Sequence, residues 1–365
     1  MRHEGQINKK AAGKYQVRVA LGRDAHGRRV DFTQTINATL KEARAFLKQK
    51  LRERDTGTLA SKHDGLLGDW VTYWLDTIVS VRIRQVTLDQ YRFLATRYIL
   101  PRLGDCRLGD LKRSTIEEWV DQLVKSQLGA RTVRLAFSVL HNALESLVQR
   151  AELPANPCKG VALPKKQRAK VQALTVDQAR TLLTGIRGTP YEALWSLMLN
   201  TGIRPAEALA LRWQDIKNGV VYVTRSLSWT SAGPRIEEPK TAAGRRKIPL
   251  TADVADQLAA RHGTSAVTDE ALIFSTKEGN PLEWRVLKRR HFKPLLKKLG
   301  LPDIRGYDLR HTCTTLLLEA GINPTAITER LGHRSTAYLL DTYGHVLPHQ
   351  QQEATERLGA LLSGH

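Results

Sequence analysis

Residues 307–345 read YDLRHTCTTLLLEAGINPTAITERLGHRSTAYLLDTYGH, and the reading of this stretch decides the fold. Cys313, Leu316, Leu317 and Ala320 recur at helical spacing and predict the inward stripe of a helix that Gly321 stops. Asn323-Pro324 opens a second helix that Gly332 closes. Ser335 stands where it can cap a third, which begins near Thr336 and carries Tyr343 in its last turn. Three short helices joined by tight turns therefore present Arg310 and His311, then His333, then Tyr343.

Outward from this stretch, a second polar group lies upstream in Thr201-Gly202-Ile203-Arg204-Pro205-Ala206-Glu207. A helix from about Tyr191 to Asn200 ends at Gly202, and another starts at Pro205. Arg204 thus sits at a helix junction, beside free backbone N–H groups, with Glu207 placed to hold its guanidinium. A β-rich insert from about Val220 to Pro249 follows, and its strands predict a hairpin with Lys240 at the tip. Lys217, Arg245, Arg246 and Lys247 compete with Lys240 for any role a lysine would play there. Thr175 and Gln178 form a capping-box pattern that opens the region.

Further upstream the chain divides by pattern. Residues 65–155 predict a helical bundle: Leu67, Trp70, Val71, Trp74 and Leu75 form one stripe, and a helix from Thr87 is expected to end at Pro101. Ser114 or Thr115 is expected to cap a third helix, and Arg131–Arg150 carries a fourth. Residues 152–170 form a proline-rich basic linker. In residues 1–60, alternation at Tyr15, Val17 and Val19, a turn at Asp24–Gly27 and a run from Arg29 to Ile36 predict a small sheet. A helix over Leu40–Arg54 covers it, with Leu40, Ala43, Phe46, Leu47 and Leu51 inward. The fold expected is multidomain and mainly α: a sheet-plus-helix domain at 1–60, a helical domain at 65–155, a mixed α+β, mostly helical domain at 171–350 and a tail helix at 351–365.

Charge narrows the partner. Lys plus Arg total 57 against 36 Asp plus Glu in 365 residues, a formal charge of +21, which makes a polyanion the expected ligand and double-stranded DNA the first choice. Residues 1–60 hold 14 Lys plus Arg and 6 Asp plus Glu, so this segment fits a DNA groove or phosphate track. Lys14, Arg18, Arg28 and Arg29 there, and Arg82, Arg84, Arg131 and Arg134 in the helical region, are the candidate DNA contacts; a solvated face is the alternative for each. No apolar run reaches the roughly 20 residues of a membrane span. Cys106, Cys158 and Cys313 have neither paired nor metal-ligand spacing, which fits a reducing, cytoplasmic and nucleoid-associated setting.

The polar set suits attack on a phosphodiester. Such a reaction gathers negative charge on the nonbridging oxygens, and fixed donors aimed there are the largest source of catalysis. Arg204 and Arg310 offer planar, permanently charged forks, Lys240 can protonate a departing sugar oxygen, and His333 can bond an oxygen or exchange a proton. Tyr343 is then the nucleophile. A phenol with a pKa near 10 needs an acceptor or a positive field to react near neutrality, and His333, His345 and the two arginines can supply one, with His311 as a supporting residue. Each residue alone reads as an ordinary packed or surface side chain; their order carries the argument.

That order, in Thr201–Glu207 with Leu211-Arg212-Trp213, Asp308–Thr312, Leu331-Gly332-His333 and Asp341–His345, resembles the tyrosine recombinase or phage integrase family over residues 170–350. The likeness extends to 65–155, similar to the family's core-site DNA-binding domain and closing on Asn156-Pro157. It reaches the first 60 residues, which resemble the arm-type domain of lambda-like and conjugative-transposon integrases. The resemblance implies a 3′-phosphotyrosyl intermediate on Tyr343, with Arg204, Lys240, Arg310 and His333 as its catalytic partners and neither ATP nor metal required. It also implies a homo-tetramer on two duplexes, a tail stripe of Ala354, Leu358, Leu361 and Leu362 docking on a neighbour or in cis, and excisionase or DNA-bending accessory proteins. One departure stands out: where the family's His-x-x-Arg box opens with histidine, this chain has Tyr307. The alternatives are a type IB topoisomerase-like enzyme, a non-enzymatic DNA-binding protein, and a metal-dependent nuclease, which would need clustered acidic residues near the site.

Overall fold

The computed structural model describes residues 5–23, 29–55, 65–165, 172–239, 242–263, 268–332, 335–344 and 350–363. The chain forms two compact units, residues 1–168 and 169–365.

The first unit opens with three antiparallel strands in sequence order: β1 (Gly5–Ala11), β2 (Lys14–Arg23) and β3 (Arg29–Asn37). The alternation at Val17 and Val19 puts both side chains fully inside, because a strand shows one face every second residue. Helix α1 (Leu40–Asp55) packs against the sheet through buried Ala43. Leu40 does not join that face. It lies 43% exposed, at the first position of the helix. The expected turn at Asp24–Gly27 lies outside the described residues.

The helical bundle contains α2 (Leu67–Tyr73), α3 (Gln85–Leu94), α4 (Leu100–Leu103), α5 (Arg113–Lys125) and α6 (Ala130–Gln149). Trp70, Trp74 and Trp119 are buried, and two find backbone acceptors, Trp70 Nε1 on Ala143 O and Trp119 Nε1 on Tyr98 O, each at 2.8 Å. They are core residues. Pro101 does not end its helix. A wide turn at Ala95–Ile99 sends the Leu100 N–H five residues back to Ala95 O, so the helix restarts with proline in its first turn, where a missing N–H costs nothing. Ser114 and Thr115 do not cap α5. The extended residue Lys112 is the cap position, so the helix begins two residues before the start a Ser114 cap would give, and both hydroxyl residues fall inside its first turn.

The second unit builds its core from α7 (Val176–Gly185), α8 (Glu192–Thr201) and the later helices, with Trp195, Leu197, Phe274 and Phe292 buried at the centre. Thr175 and Gln178 make both bonds of the expected capping box. After short α9 (Pro205–Ala208) come β4 (Ile216–Lys217), β5 (Val220–Val223), β6 (Ser226–Thr230), β7 (Gly233–Glu237) and β8 (Arg246–Pro249). They form two sheets rather than one hairpin: β4-β5-β8 and the ribbon β6-β7. Position 240 therefore belongs to the connection from β7 to β8, because β6 and β7 pair with each other and take the hairpin tip for themselves. Lys240 itself lies outside the described residues.

Helices α10 (Ala252–Gly263), α11 (Trp284–Leu287) and α12 (Lys293–Lys298) lead to α13 (Asp308–Glu319), α14 (Pro324–Leu331), α15 (Thr336–Tyr343) and α16 (Gln350–Ser363). Cys313 points inward as expected, but Ala320 is exposed. The buried face of α13 turns instead through Arg310, Thr312, Thr314 and Leu318. Threonine is tolerated inside because Thr312 and Thr314 donate to Asp308 O and Arg310 O, one turn back, at 2.9 and 2.8 Å.

Candidate active site

Gly202 takes the left-handed conformation (φ 66°) that ends α8, and Arg204 becomes the extended cap of α9 with Pro205 behind it. Glu207, one turn on, accepts from Arg204 N at 3.0 Å and from Arg204 Nη1 at 2.7 Å. Burial works against the Arg204 charge, but the Glu207 carboxylate and then the adjacent Tyr307 hydroxyl outweigh it and hold the guanidinium pKa above its ordinary value.

Glu207 is shared. Arg246, at the start of β8 and with its side chain 5% exposed, donates to the same carboxylate through Nη2 at 2.7 Å and Nη1 at 3.2 Å. Arg246 Nε also reaches Arg330 O at 2.8 Å, tying the strand to α14. Burial raises the Glu207 pKa, yet Arg246 and then Arg204 pull it below the usual carboxylate range. One buried carboxylate thus orients two arginines.

Arg310 lies 1% exposed and uses its fork on backbone: Nη1 donates to Gly202 O at 2.8 Å and Nη2 to Leu331 O at 2.6 Å. Those carbonyls belong to the two glycine-terminated turns, so the guanidinium clamps the Arg204 junction to the turn that leads to position 333. Burial first, and then the charge of Arg204, bring the Arg310 pKa down to about 10, which leaves it cationic near neutrality. Arg204, Arg246 and Arg310 sit close enough to perturb one another, with Glu207 as the partly neutralising anion.

Tyr343 packs 2% exposed against Leu318, Ile327, Leu331 and Leu339, and its hydroxyl is hydrogen-bonded to His311 Nδ1. The rings stand 5.6 Å apart. On the far side, His311 Nε2 lies 4.0 Å from Asp308 Oδ1, and Asp308 is fixed by Arg305 N at 2.6 Å and Arg305 Nη2 at 2.8 Å. Tyr307 stacks edgewise on His311 at 5.3 Å. Burial lowers the His311 pKa against the opposing pull of Asp308, so the ring is neutral near pH 7.

The structure thus brings together Arg204, Glu207, Arg310, Tyr307, His311 and Tyr343. His333, His345 and Lys240 lie outside the described residues. Arg246 was visible in the sequence only as a rival of Lys240; no local pattern marks a strand residue that reaches a carboxylate 39 positions away. Asp308 behind His311 was legible in principle, as an acidic residue one helical turn before a histidine. Among the candidate DNA contacts, Lys14, Arg18, Arg82, Arg84, Arg131 and Arg134 are exposed. Arg18 pairs with Asp31, and Arg134 donates to Pro164 O at 3.2 Å. Arg29 begins β3 opposite Arg23, and Arg28 lies outside the described residues.

Residues 172–350 match the phage integrase family, and residues 66–124 match the N-terminal SAM-like domain of phage integrases. The chain belongs to the phage integrase family. Two relatives span nearly the whole of it. A tyrosine recombinase XerC-like protein of Caldanaerobacter subterraneus subsp. tengcongensis is 25% identical, the match covering 95% of this chain and 96% of that one. The ICEBs1 integrase of Bacillus subtilis is 26% identical, with 98% and 100% covered. The Tn1549 transposon integrase bound to transposon right end DNA shares the fold at a TM-score of 0.66 and 24% identity, covering 81% of this chain and all of the other. A lambda integrase tetramer on a Holliday junction shares it at 0.61 and 19%, covering 92% and 97%. The integrase fold accounts for the mainly helical architecture, and the departure at Tyr307 is now located: this phenol is 39% exposed and adjoins the Arg204 guanidinium. No helix among the described residues is long and apolar enough to cross a membrane.

Proposed function

We propose that this phage-integrase-family chain is a site-specific DNA recombinase that integrates or excises a mobile element through a 3′-phosphotyrosyl intermediate. Tyr343 attacks the scissile phosphate. Arg204 and Arg310 bind its nonbridging oxygens, Lys240 protonates the departing 5′ oxygen, and His333 hydrogen-bonds a nonbridging oxygen or exchanges the nucleophile's proton. A 5′-hydroxyl then attacks the phosphotyrosyl bond, and the strand is rejoined without ATP. The observation that carries this reading is the Tyr343 hydroxyl bonded to His311, the residue next to Arg310, in a unit where Arg204 and Arg246 share one carboxylate and Arg310 feels the charge of all three. Fixed cations of this kind stabilise charge that develops on phosphate.

In this reading residues 1–60 hold arm-type sites, 65–155 hold the core site, 152–170 link them to the catalytic part at 171–350, and the protein works in the nucleoid as a tetramer. Tail residues Leu358, Leu361 and Leu362 are 58, 80 and 75% exposed, an apolar stripe suited to a neighbouring protomer. The test is a denaturing gel of the full chain with nicked duplexes tiling the DNA on either side of its gene. One duplex should trap a covalent adduct in EDTA. Tyr343→Phe should abolish the adduct and leave binding to that duplex unchanged; an adduct that survives the substitution places the nucleophile elsewhere.

A further inference from the structure

We propose that His311 is a catalytic residue, the base that takes the proton from the Tyr343 hydroxyl as the phenol attacks phosphorus. The inference rests on Tyr343 being the nucleophile and deepens that reading. Tyr343 cannot attack as a neutral phenol without shedding its proton, and a second phenol at Tyr307 is no acceptor near neutrality. Among the described residues, the imidazole that touches the reacting oxygen is that of His311, through Nδ1.

Its surroundings fit the task. The ring is held from both sides, by the hydrogen bond to Tyr343 and by the edgewise contact of Tyr307. Asp308 faces Nε2 at 4.0 Å, which favours the tautomer with the proton on Nε2 and a lone pair on Nδ1 aimed at the phenol. Asp308 is itself fully buried and anchored by Arg305. Among the described residues, the charged and titratable groups acting on the ring are Asp308, Arg305, Arg310, Tyr307 and Tyr343. Burial keeps the imidazole neutral near pH 7, and once it gains a proton the Asp308 carboxylate stabilises the imidazolium.

The step balances. The Tyr343 O–H bond breaks and its proton passes to Nδ1 as the Oη–P bond forms. The P–O5′ bond breaks, and the departing oxygen takes a proton from the acid assigned to Lys240. On rejoining, Nδ1–H returns its proton to Oη.

The experiment measures single-turnover cleavage by the full chain on the duplex that traps the wild-type protein. His311→Asn keeps a group able to accept the phenol's hydrogen bond but removes the base. Cleavage should fall about 10²- to 10⁴-fold with duplex binding unchanged. The residual rate should rise with pH toward the phenol's own ionisation, where the wild-type rate levels off. Tyrosine carrying several ring fluorines at position 343, already ionised near neutrality, should restore most of the lost rate in His311→Asn. A variant that cleaves at the wild-type rate, or one that is slow and stays equally slow with the fluorinated phenol, overturns the assignment. Should His311→Asn fail to fold, fluorination in the otherwise wild-type chain carries the test. It should extend cleavage to acid pH where His311 is protonated, and an unmoved pH profile overturns the assignment. An adduct formed by Tyr343→Phe would instead remove the underlying reading, so the two failures are distinguishable.

Discussion

Glu207 is the residue whose removal should cost most for its size. It is buried and neutralises two arginines at once, and breaking a buried pair by deleting one partner leaves uncompensated charge worth about 3–5 kcal/mol. Glu207→Ala should therefore lower unfolding stability by about that amount, read by denaturant titration, and should release both Arg204 and Arg246. The acid side follows from the same residues. The Glu207 pKa is lower in the folded chain than its ordinary 4.5, so the unfolded chain binds the proton first; its contribution is present above that value and lost as pH falls through the folded one. His311 is also lowered, from 6.5, and the unfolded chain again binds more protons in the window beneath, so stability drops on acidification from about pH 6.5. Calorimetry should show the melting temperature falling from neutrality toward pH 4, with His311→Asn flattening the upper part of that decline. Arg204, Arg310 and Tyr343 were singled out in the sequence by the order of their phrases along the chain. Their partners were not: Arg246 finds Glu207, and Arg310 finds Gly202 O and Leu331 O, through tertiary contacts that no local spacing encodes.

Among the elements, the turn ending α14 and the connection leading into β8 depend on each other. Gly332 has φ 66°, and a Cβ there would lie 2.5 Å from Ala243 O, so alanine must move the connection to which position 240 belongs. Gly321 ends α13 in the same backbone region (φ 74°), but a Cβ there meets nothing within 4 Å. Gly321→Ala should thus cost only the left-handed backbone penalty of about 1–2 kcal/mol. Gly332→Ala should cost more and also slow cleavage, a split that paired melting and single-turnover assays would reveal; equal effects on both would deny the link between turn and connection. Some helix ends read well from sequence, as the Thr175–Gln178 box and the Gly202 and Gly332 stops show, while the expected cap at Ser114 or Thr115 and the expected end at Pro101 did not. Strand pairing read poorly. Val220–Val223 and Arg246–Pro249 do pair, but the ribbon between them has its own register, and alternation alone does not say which strand is a neighbour.

For the molecule as a whole, a charge of +21 means that binding to any DNA must weaken with salt, since each neutralised phosphate releases counterions. Deleting residues 1–60, which carry a large share of the excess, should make that dependence shallower. It should also weaken arm-site binding while sparing core cleavage; equal arm binding by the truncated and full chains would contradict the role assigned to the sheet. Removing the tail from 351 onward should leave the monomer folded but impair assembly on DNA, read by sedimentation of the complexes. The central claim, that Tyr343 becomes bonded to DNA, is most directly tested by digesting the trapped adduct and locating the modified residue by mass spectrometry. The account predicts a nucleotide joined through its 3′-phosphate to the Tyr343 hydroxyl; a phosphate on any other residue, or a cleaved strand with no protein attached, would contradict it.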